Sequence, residues 1–200
     1  MSWLRRRMMA NAGGGLPYDA EVAYIEGTGT QKIEIPVSVI GGDDFAVGIR
    51  LYCTNTTKDG YLFGSTTSRA FFSQKFSYDD SSNMLTLAST IGGNATKGGS
   101  LISLGEWHDY ELSTSGKTVD GIFTSLPRTI TSFSSLFLMG YASSNGYPYR
   151  LSSCYINHNG VRIYDMIAVR IGTAGYMYDT VSGELFGNVG SGTFILGPDI

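Results

Sequence analysis

Three carboxylates lie close together in the segment EWHDYE, residues 106–111. Hydrolysis of a glycosidic bond uses two carboxyl groups that flank the bond, one as an acid and one as a base or nucleophile. Side chains of a β-strand alternate between its two faces, so Asp109 and Glu111 would share a face and Glu106 would point to the other. This spacing disfavours catalysis, and we interpret the segment as a strand in which Trp107 and Leu112 contribute to the core.

No other arrangement of residues in the sequence is typical of catalysis. There is neither a G-x-S-x-G motif nor a pair of histidines spaced as metal ligands. We place His108 in a strand and His158 in a tight turn, where neither has a nucleophile close to it in sequence. Two histidines and two cysteines make a four-ligand zinc site unexpected, and we predict that Cys53 and Cys154 are buried free thiols. The prediction is a protein that is not an enzyme.

Polar residues also gather in YMYDTVSGELFGNVGSG, residues 176–192. Tyr176–Tyr178 is predicted to be a strand, and Asp179 and Ser182 can bond nearby backbone groups. Gly183 is free to adopt a positive φ. The segment is therefore predicted to turn the chain and not to catalyse a reaction.

The elements that position these residues are predicted to be strands. Apolar Ile33, Ile35, Val37 and Val39 alternate with polar or small residues, and residues 45–53 alternate in the same way. Turn-forming segments, such as Lys58–Gly60 and His158–Gly160, separate about ten short strands along the chain. This pattern predicts an all-β sandwich or jelly roll.

Charge and hydropathy exclude two classes of partner. The net charge is −3, and outside Arg5–Arg7 only 11 Lys and Arg remain against 17 Asp and Glu, which gives −6 for residues 16–200. A surface that binds a nucleic acid duplex normally carries an excess of basic residues, so no nucleic acid partner is expected. No run reaches the length of a membrane span, and no span is predicted.

The N-terminal segment MSWLRRRMMANAGGG, residues 1–15, differs from the rest of the chain. No apolar stretch follows its basic residues, so we do not expect a secretory signal. Residues 3–9 could form two turns of a basic amphipathic helix, followed by a flexible joint of three glycines. We predict that residues 1–15 dock onto a partner through Trp3, Leu4, Arg5, Arg6, Arg7, Met8 and Met9. A disordered tail is the alternative.

Three segments carry a family resemblance: AEVAYIEGTGTQ (residues 20–31), RLSSCYINHNG (150–160) and VRIGTAGYMYDTVSGELFGNVGSGTFILGP (169–198). They resemble concanavalin A-like, laminin-G-like jelly-roll domains of the kind common in gut Bacteroidales and their phages. The resemblance implies that residues 16–200 form one antiparallel two-sheet jelly-roll sandwich, with residues 1–15 as a short extension. It does not assign a function, because this fold includes lectins, glycosidases and structural modules.

The resemblance also implies that glycan or calcium could be a ligand. The loop of residues 143–149 offers Asn145, Tyr147 and Tyr149 as a glycan-binding set, with packing of the sandwich edge as the alternative for the two tyrosines. No cofactor is expected. Calcium, which many lectin-like jelly rolls bind, is the alternative at Asp43, Asp44, Asp79 and Asp80, although adjacent aspartates in turns are more often turn formers.

These observations lead to three ranked hypotheses. The first is a virion structural protein of a phage or prophage, a head or tail decoration, fibre or adhesin module that docks onto other virion proteins through residues 1–15. It would display a lectin-like domain to a cell-surface or mucus glycan, and we expect a homo-oligomer. The second is a bacterial carbohydrate-binding protein, in the cytoplasm or at the cell surface, that belongs to no particle. Glycoside hydrolysis is the third.

Overall fold

The structure, a computed structural model, describes residues 15–53, 60–65, 72–79, 84–141 and 146–200. The predicted docking residues Trp3–Met9 lie outside these ranges. The described residues contain no helix that is long and apolar enough to cross a membrane. They form the strands β1 (Ala20–Glu21), β2 (Ile25–Gly27), β3 (Ile33–Val39), β4 (Phe45–Tyr52), β5 (Gly60–Ser65), β6 (Phe72–Asp79), β7 (Met84–Ile91), β8 (Asn94–Ser103), β9 (Trp107–Ser113), β10 (Gly116–Val119), β11 (Ile122–Ser125), β12 (Phe133–Leu138), β13 (Tyr149–His158), β14 (Val161–Ile171), β15 (Ala174–Asp179), β16 (Leu185–Phe186) and β17 (Ile195–Leu196).

These strands form two antiparallel sheets. The larger sheet has eleven strands and the central order β11-β10-β9-β4-β13-β14-β15-β16, with β1 paired to β14 and β2 paired to β13 and β17. The smaller sheet has six strands in the order β3-β12-β5-β6-β7-β8. This arrangement confirms the predicted all-β, antiparallel two-sheet jelly-roll sandwich.

Alternating hydrophobicity determines which side of each sheet faces the core. In β3 every apolar residue from Ile33 to Val39 is buried and every residue between them is exposed. Phe45 of β4 packs edge-to-face on Phe72 and Phe133 of the smaller sheet, with ring centroids 5.2 and 5.4 Å apart. Aromatic contacts of this geometry join the two sheets across the core.

Cys53 and Cys154 are both buried and free, as predicted. Burial in the apolar interior raises the pKa of each thiol. Both thiols therefore stay protonated and act as small apolar residues of the core.

A buried polar cluster also connects the sheets. The Gln74 side chain lies in the smaller sheet, and its Oε1 accepts hydrogen bonds from Ser89 Oγ, at 2.7 Å, and from the hydroxyl of Tyr110 on β9. Its Nε2 donates to the Lys75 carbonyl at 2.9 Å. Because the hydrogen bond from Tyr110 to Gln74 joins β9 of the larger sheet to β6 of the smaller one, it favours one register of packing between the two sheets.

The C-terminal polar segment serves the backbone. Asp179 is fully buried, and its two carboxylate oxygens accept hydrogen bonds from the amides of Ser182 and Asp165, each at 2.7 Å. Gly183 has a φ of 81°, a conformation that glycine adopts without steric cost. The predicted role of this segment in turning the chain is confirmed.

Candidate functional site

One row of side chains crosses the solvent-facing side of the larger sheet. Arg150 of β13 lies opposite both Glu26 of β2 and Tyr52 of β4, and Tyr52 lies opposite Trp107 of β9. Cross-strand partners project to the same face of a sheet. Residues from four strands therefore stand side by side, and we call this set, together with Tyr24, the aromatic row.

Contacts within the aromatic row fix its side chains. The Arg150 guanidinium carbon lies 4.6 Å from the centre of the Tyr24 ring and 5.0 Å from that of Tyr52. The Trp107 ring lies 5.5 Å from Tyr52 and 6.2 Å from Tyr24. Arg150 Nε donates to Glu26 Oε2 at 2.7 Å, and this hydrogen bond raises the pKa of Arg150. The three rings are half-buried and held in place, with part of their surface open to solvent.

A charged pair borders the aromatic row. Arg50 of β4 lies opposite Asp109 of β9, and its Nη1 is 3.0 Å from each carboxylate oxygen. The guanidinium carbon of Arg50 also lies 5.7 Å from the centre of the Trp107 ring. Asp109 remains 67% exposed, so its carboxylate can still accept hydrogen bonds from a ligand.

Beyond this pair, Tyr155 of β13 lies across Gly48 of β4. Its hydroxyl donates to Glu111 Oε2 at 2.5 Å, and burial together with this hydrogen bond raises the pKa of Tyr155. A groove of about 180 Å³ lies between Tyr155 and the Arg50–Asp109 pair. Its lining includes Arg50, Asp109, Glu111, Thr118, Ser153 and Tyr155.

The arrangement on β9 corrects one prediction and supports another. Trp107 does not pack in the core: it shares the outer face with exposed Asp109 and half-buried Glu111, whereas His108 and Tyr110 point inward. Asp109 and Glu111 share a face, as the period of two predicted. Glu106 precedes the strand and accepts a hydrogen bond from Ser103 Oγ at 2.9 Å.

His108 has a nucleophile nearby, contrary to our prediction. Its Nδ1 lies 2.7 Å from Asp120 Oδ2 and its Nε2 lies 3.1 Å from Ser103 Oγ, which is the order of a Ser–His–Asp triad. The Ser103 hydroxyl, however, donates to Glu106. His108 Nε2 is also 3.2 Å from the Ser103 carbonyl oxygen, which can only accept. The Ser103 hydroxyl hydrogen is therefore directed at Glu106, and the cluster ties β8 and β9 to the turn after β10.

The structure places the two predicted glycan-binding tyrosines inside the protein. Tyr147 and Tyr149 are 0% and 2% exposed, and Tyr149 donates its hydroxyl hydrogen to the Leu62 carbonyl at 3.0 Å. Their rings pack the edge of the core, which was the alternative interpretation, and neither presents a face to a ligand. Asn145 lies outside the described residues.

Two of the predicted calcium ligands line an open cleft of about 730 Å³ at one end of the sandwich. The Asp43 carboxylate accepts hydrogen bonds from His158 Nε2 at 2.7 Å, the Ile40 amide at 2.8 Å and Asn159 Nδ2 at 3.2 Å. Asp44 Oδ1 accepts from Thr114 at 2.7 Å. Asp43 thus stabilises the turn. To bind a calcium ion, its carboxylate oxygens would have to give up these hydrogen bonds.

The described residues contain no cluster of three acids, histidines or cysteines that could hold a metal ion. The structure describes only the main chain of Asp79, at the end of β6, and Asp80 lies outside the described residues. Calcium binding therefore stays a prediction.

The sequence matches no protein-family model and no curated protein sequence. The fold is similar to that of a native heptameric SAP-like pentraxin from Limulus polyphemus, with a TM-score of 0.58 and 14% identity over 90% of this chain and 97% of that one. A Bacteroides ovatus protein with a proposed carbohydrate-binding function has a TM-score of 0.61 and 10% identity over 88% of this chain. Domains LG4-5 of the mouse laminin alpha1 chain have a TM-score of 0.52 and 14% identity over 84%.

The present chain spans 60% of the length of the Bacteroides protein and 50% of the laminin fragment. At these identities the similarity concerns the fold. The protein has a concanavalin A-like jelly-roll fold, in agreement with the resemblance that the sequence carries.

Proposed function

We propose that this protein is a non-enzymatic glycan-binding domain and that it holds its sugar on the outer face of the larger sheet. The observation that carries the proposal is the aromatic row, in which Tyr24, Tyr52 and Trp107 stand together on one solvent-facing surface. Sugar rings have apolar faces that pack on aromatic rings, and their hydroxyls both donate and accept hydrogen bonds. A surface that binds sugar therefore combines flat rings with a few fixed polar groups.

The neighbouring groups supply that polar component. Asp109 and Glu111 offer acceptors and Arg50 offers donors, and all three line the groove beside Tyr155. Because the arginine contacts and cross-strand pairing already fix these side chains, little conformational entropy is lost when a ligand binds. The proposed carbohydrate-binding function of the Bacteroides ovatus protein of similar fold supports the same assignment.

A glycan array followed by calorimetry on the full-length chain tests this proposal. We expect Trp107→Ala to weaken the binding of any selected glycan by at least about tenfold, since central aromatic residues often contribute more than 1.4 kcal/mol to binding. Tyr18→Ala is the matched control, because Tyr18 is also half-buried but packs on Tyr178, away from the aromatic row. Equal affinity of Trp107→Ala and the wild type would place the site elsewhere.

The more specific hypothesis concerns where the domain acts. We propose a virion structural protein of a phage or prophage, anchored to other virion proteins through residues 1–15. Support comes from the sequence: a basic segment containing Trp and Met precedes three glycines, and the domain resembles those of gut Bacteroidales and their phages. A homo-oligomer stays a prediction. The alternative is a bacterial lectin-like protein, in the cytoplasm or at the cell surface, that belongs to no particle.

A further inference from the structure

The arginines beside the aromatic row are already paired with carboxylates. Arg50 contacts both oxygens of Asp109 at 3.0 Å, and Arg150 donates to Glu26 at 2.7 Å. Both guanidiniums also lie over aromatic rings, which occupy one side of each cation. Neither arginine therefore presents an uncompensated positive charge to a ligand.

The other end of the same face continues this pattern. The Arg162 side chain lies 3.7 Å from the carboxylate of Asp165 and covers the Tyr155 ring, with 3.9 Å between the guanidinium carbon and the ring centre. Glu111 adds a carboxylate whose hydrogen-bond donor is the neutral hydroxyl of Tyr155. The face thus sets three guanidiniums against four carboxylates: Arg50, Arg150 and Arg162 against Glu26, Asp109, Glu111 and Asp165.

We infer that this face takes a neutral glycan and rejects sugars that carry carboxylate or sulfate groups, an inference that rests on the proposed function. An anionic sugar would have to displace Asp109 or Glu26 from its arginine, or lie against a surface with an excess of negative charge. Like charges placed together at an interface disfavour that partner.

A neutral sugar meets a different surface. Its hydroxyls can donate to the exposed carboxylate of Asp109 and accept from Arg50, because a paired cation and anion offer both kinds of hydrogen-bonding group. The Arg50–Asp109 pair beside Trp107 is thus suited to hydroxyls, and it also determines the specificity of the site.

The test compares matched ligands on the full-length chain by calorimetry. The pairs are galactose and galacturonic acid oligomers of equal length, and a glycan with and without its sialic acid. We expect the wild type to prefer the neutral member of each pair by at least about tenfold, at ionic strength low enough that charges are not screened. Asp109→Asn, which leaves Arg50 without its carboxylate, should reduce that preference at least threefold.

Asp199→Asn is the control, because it removes by the same chemistry the carboxylate that accepts two hydrogen bonds from Arg170, at 2.7 and 2.6 Å, and Arg170 is not part of the aromatic row. It should leave the preference unchanged. Thermal melting of each variant verifies folding. An unaltered preference in Asp109→Asn would overturn the charge argument.

Trp107→Ala separates the two ways in which the proposals can fail. If the wild type binds the acidic glycan better and Trp107→Ala abolishes that binding, the proposed location of the site is correct and the inferred preference for neutral glycans is wrong. If Trp107→Ala binds every ligand as the wild type does, the proposed site is wrong, and if the wild type binds no glycan, the proposed function is wrong. Either result overturns the inference.

Discussion

Tyr155 lies over Gly48, and its position depends on the absence of a side chain there. A Cβ atom on Gly48 would lie 2.1 Å from Cζ of the Tyr155 ring, inside the contact distance of any two carbon atoms. We expect Gly48→Ala to displace this ring from Glu111 and to destabilise the fold by about 1–3 kcal/mol, the usual cost of overpacking. Urea denaturation measures the change. Gly41→Ala is the control, because its new methyl group would meet its nearest neighbour at an ordinary 3.5 Å.

The double variant Gly48→Ala/Tyr155→Ala tests the cause of that destabilisation. With the Tyr155 ring removed, the alanine at position 48 has room, so the Gly48 substitution should cost less in this background than in the wild type. An equal cost in both backgrounds would show that the ring is not what excludes a side chain at this position.

The strands of the core could be predicted from the sequence because burial imposes a pattern on them. β3 has one face in the core and one in solvent, and its residues alternate without exception. Among the strands of four residues or more, β8, β10 and β11 were not predicted. β8 and β11 are edge strands, and β11 is exposed along its whole length, so burial does not select apolar residues at alternate positions.

The aromatic row was missed for a different reason. Its members come from residues 24 to 150 and meet because β4 pairs with both β9 and β13, and β13 pairs with β2. No local pattern encodes such long-range pairing. One signal was present in the sequence. Trp107, Asp109 and Glu111 follow one another at intervals of two positions, so a strand directs all three side chains to the same, polar face. The expectation that a tryptophan belongs in the core led to the opposite assignment.

The buried cluster at Gln74 should contribute to stability unequally through its two partners. Tyr110→Phe removes one hydrogen bond, and Gln74 Oε1 keeps the bond from Ser89, so we expect a loss of about 1 kcal/mol. Gln74→Leu removes the acceptor for both hydroxyls inside the core and should cost more, about 2–3 kcal/mol. Urea unfolding of both variants gives the order. A smaller loss for Gln74→Leu would show that the cluster is not needed for stability.

Acid should weaken the turn that Asp43 holds. The hydrogen bond from His158, followed by those from the Ile40 amide and Asn159, lowers the pKa of Asp43 below its ordinary value. A carboxyl group whose pKa is lowered by folding stabilises the protein above its unfolded pKa, about 3.9, and this contribution disappears as the pH falls through the folded value. Asp43→Asn should therefore be less stable than the wild type at pH 7 and approach it in stability as the pH falls through the folded pKa of Asp43.

Thermal melting from pH 2 to pH 7 measures that convergence. The control is Ser132→Ala, which removes the hydrogen bond from the Gly41 amide in the same turn without removing an ionisable group. Its difference from the wild type should be constant over the range. A constant difference for Asp43→Asn as well would mean that the Asp43 charge does not stabilise the turn.

The Ser103–His108–Asp120 cluster should not behave as a catalytic triad. Because the Ser103 hydroxyl donates to Glu106, its hydrogen is not directed at His108, which would be the base of a triad. We expect no labelling by a fluorophosphonate probe, measured by mass spectrometry of the intact protein with a known serine hydrolase as the positive control. Labelling that His108→Gln abolishes would show that the triad is active.

Glycoside hydrolysis, the third hypothesis, depends on the neighbouring carboxylates. Asp109 accepts hydrogen bonds from Arg50, and Glu111 accepts one from the Tyr155 hydroxyl. These two carboxylates share one face of β9, and Glu106 precedes the strand. We expect no release of reducing ends from polysaccharides that the protein binds. Cleavage by the wild type that is lost in Glu111→Gln, with binding retained, would restore the enzymatic hypothesis.

The anchoring hypothesis predicts that residues 2–12 and the domain can be separated. On this hypothesis, docking through Trp3, the arginines and the two methionines would need only this segment, and the three glycines would act as a flexible joint before residues 16–200. Deletion of residues 2–12 should abolish incorporation into particles and leave the melting temperature of the protein unchanged. Replacing Arg5–Arg7 with glutamines retains the length of the segment and tests whether its charge is required. Normal assembly of the deletion variant would contradict anchoring, and would favour a glycan-binding protein that belongs to no particle.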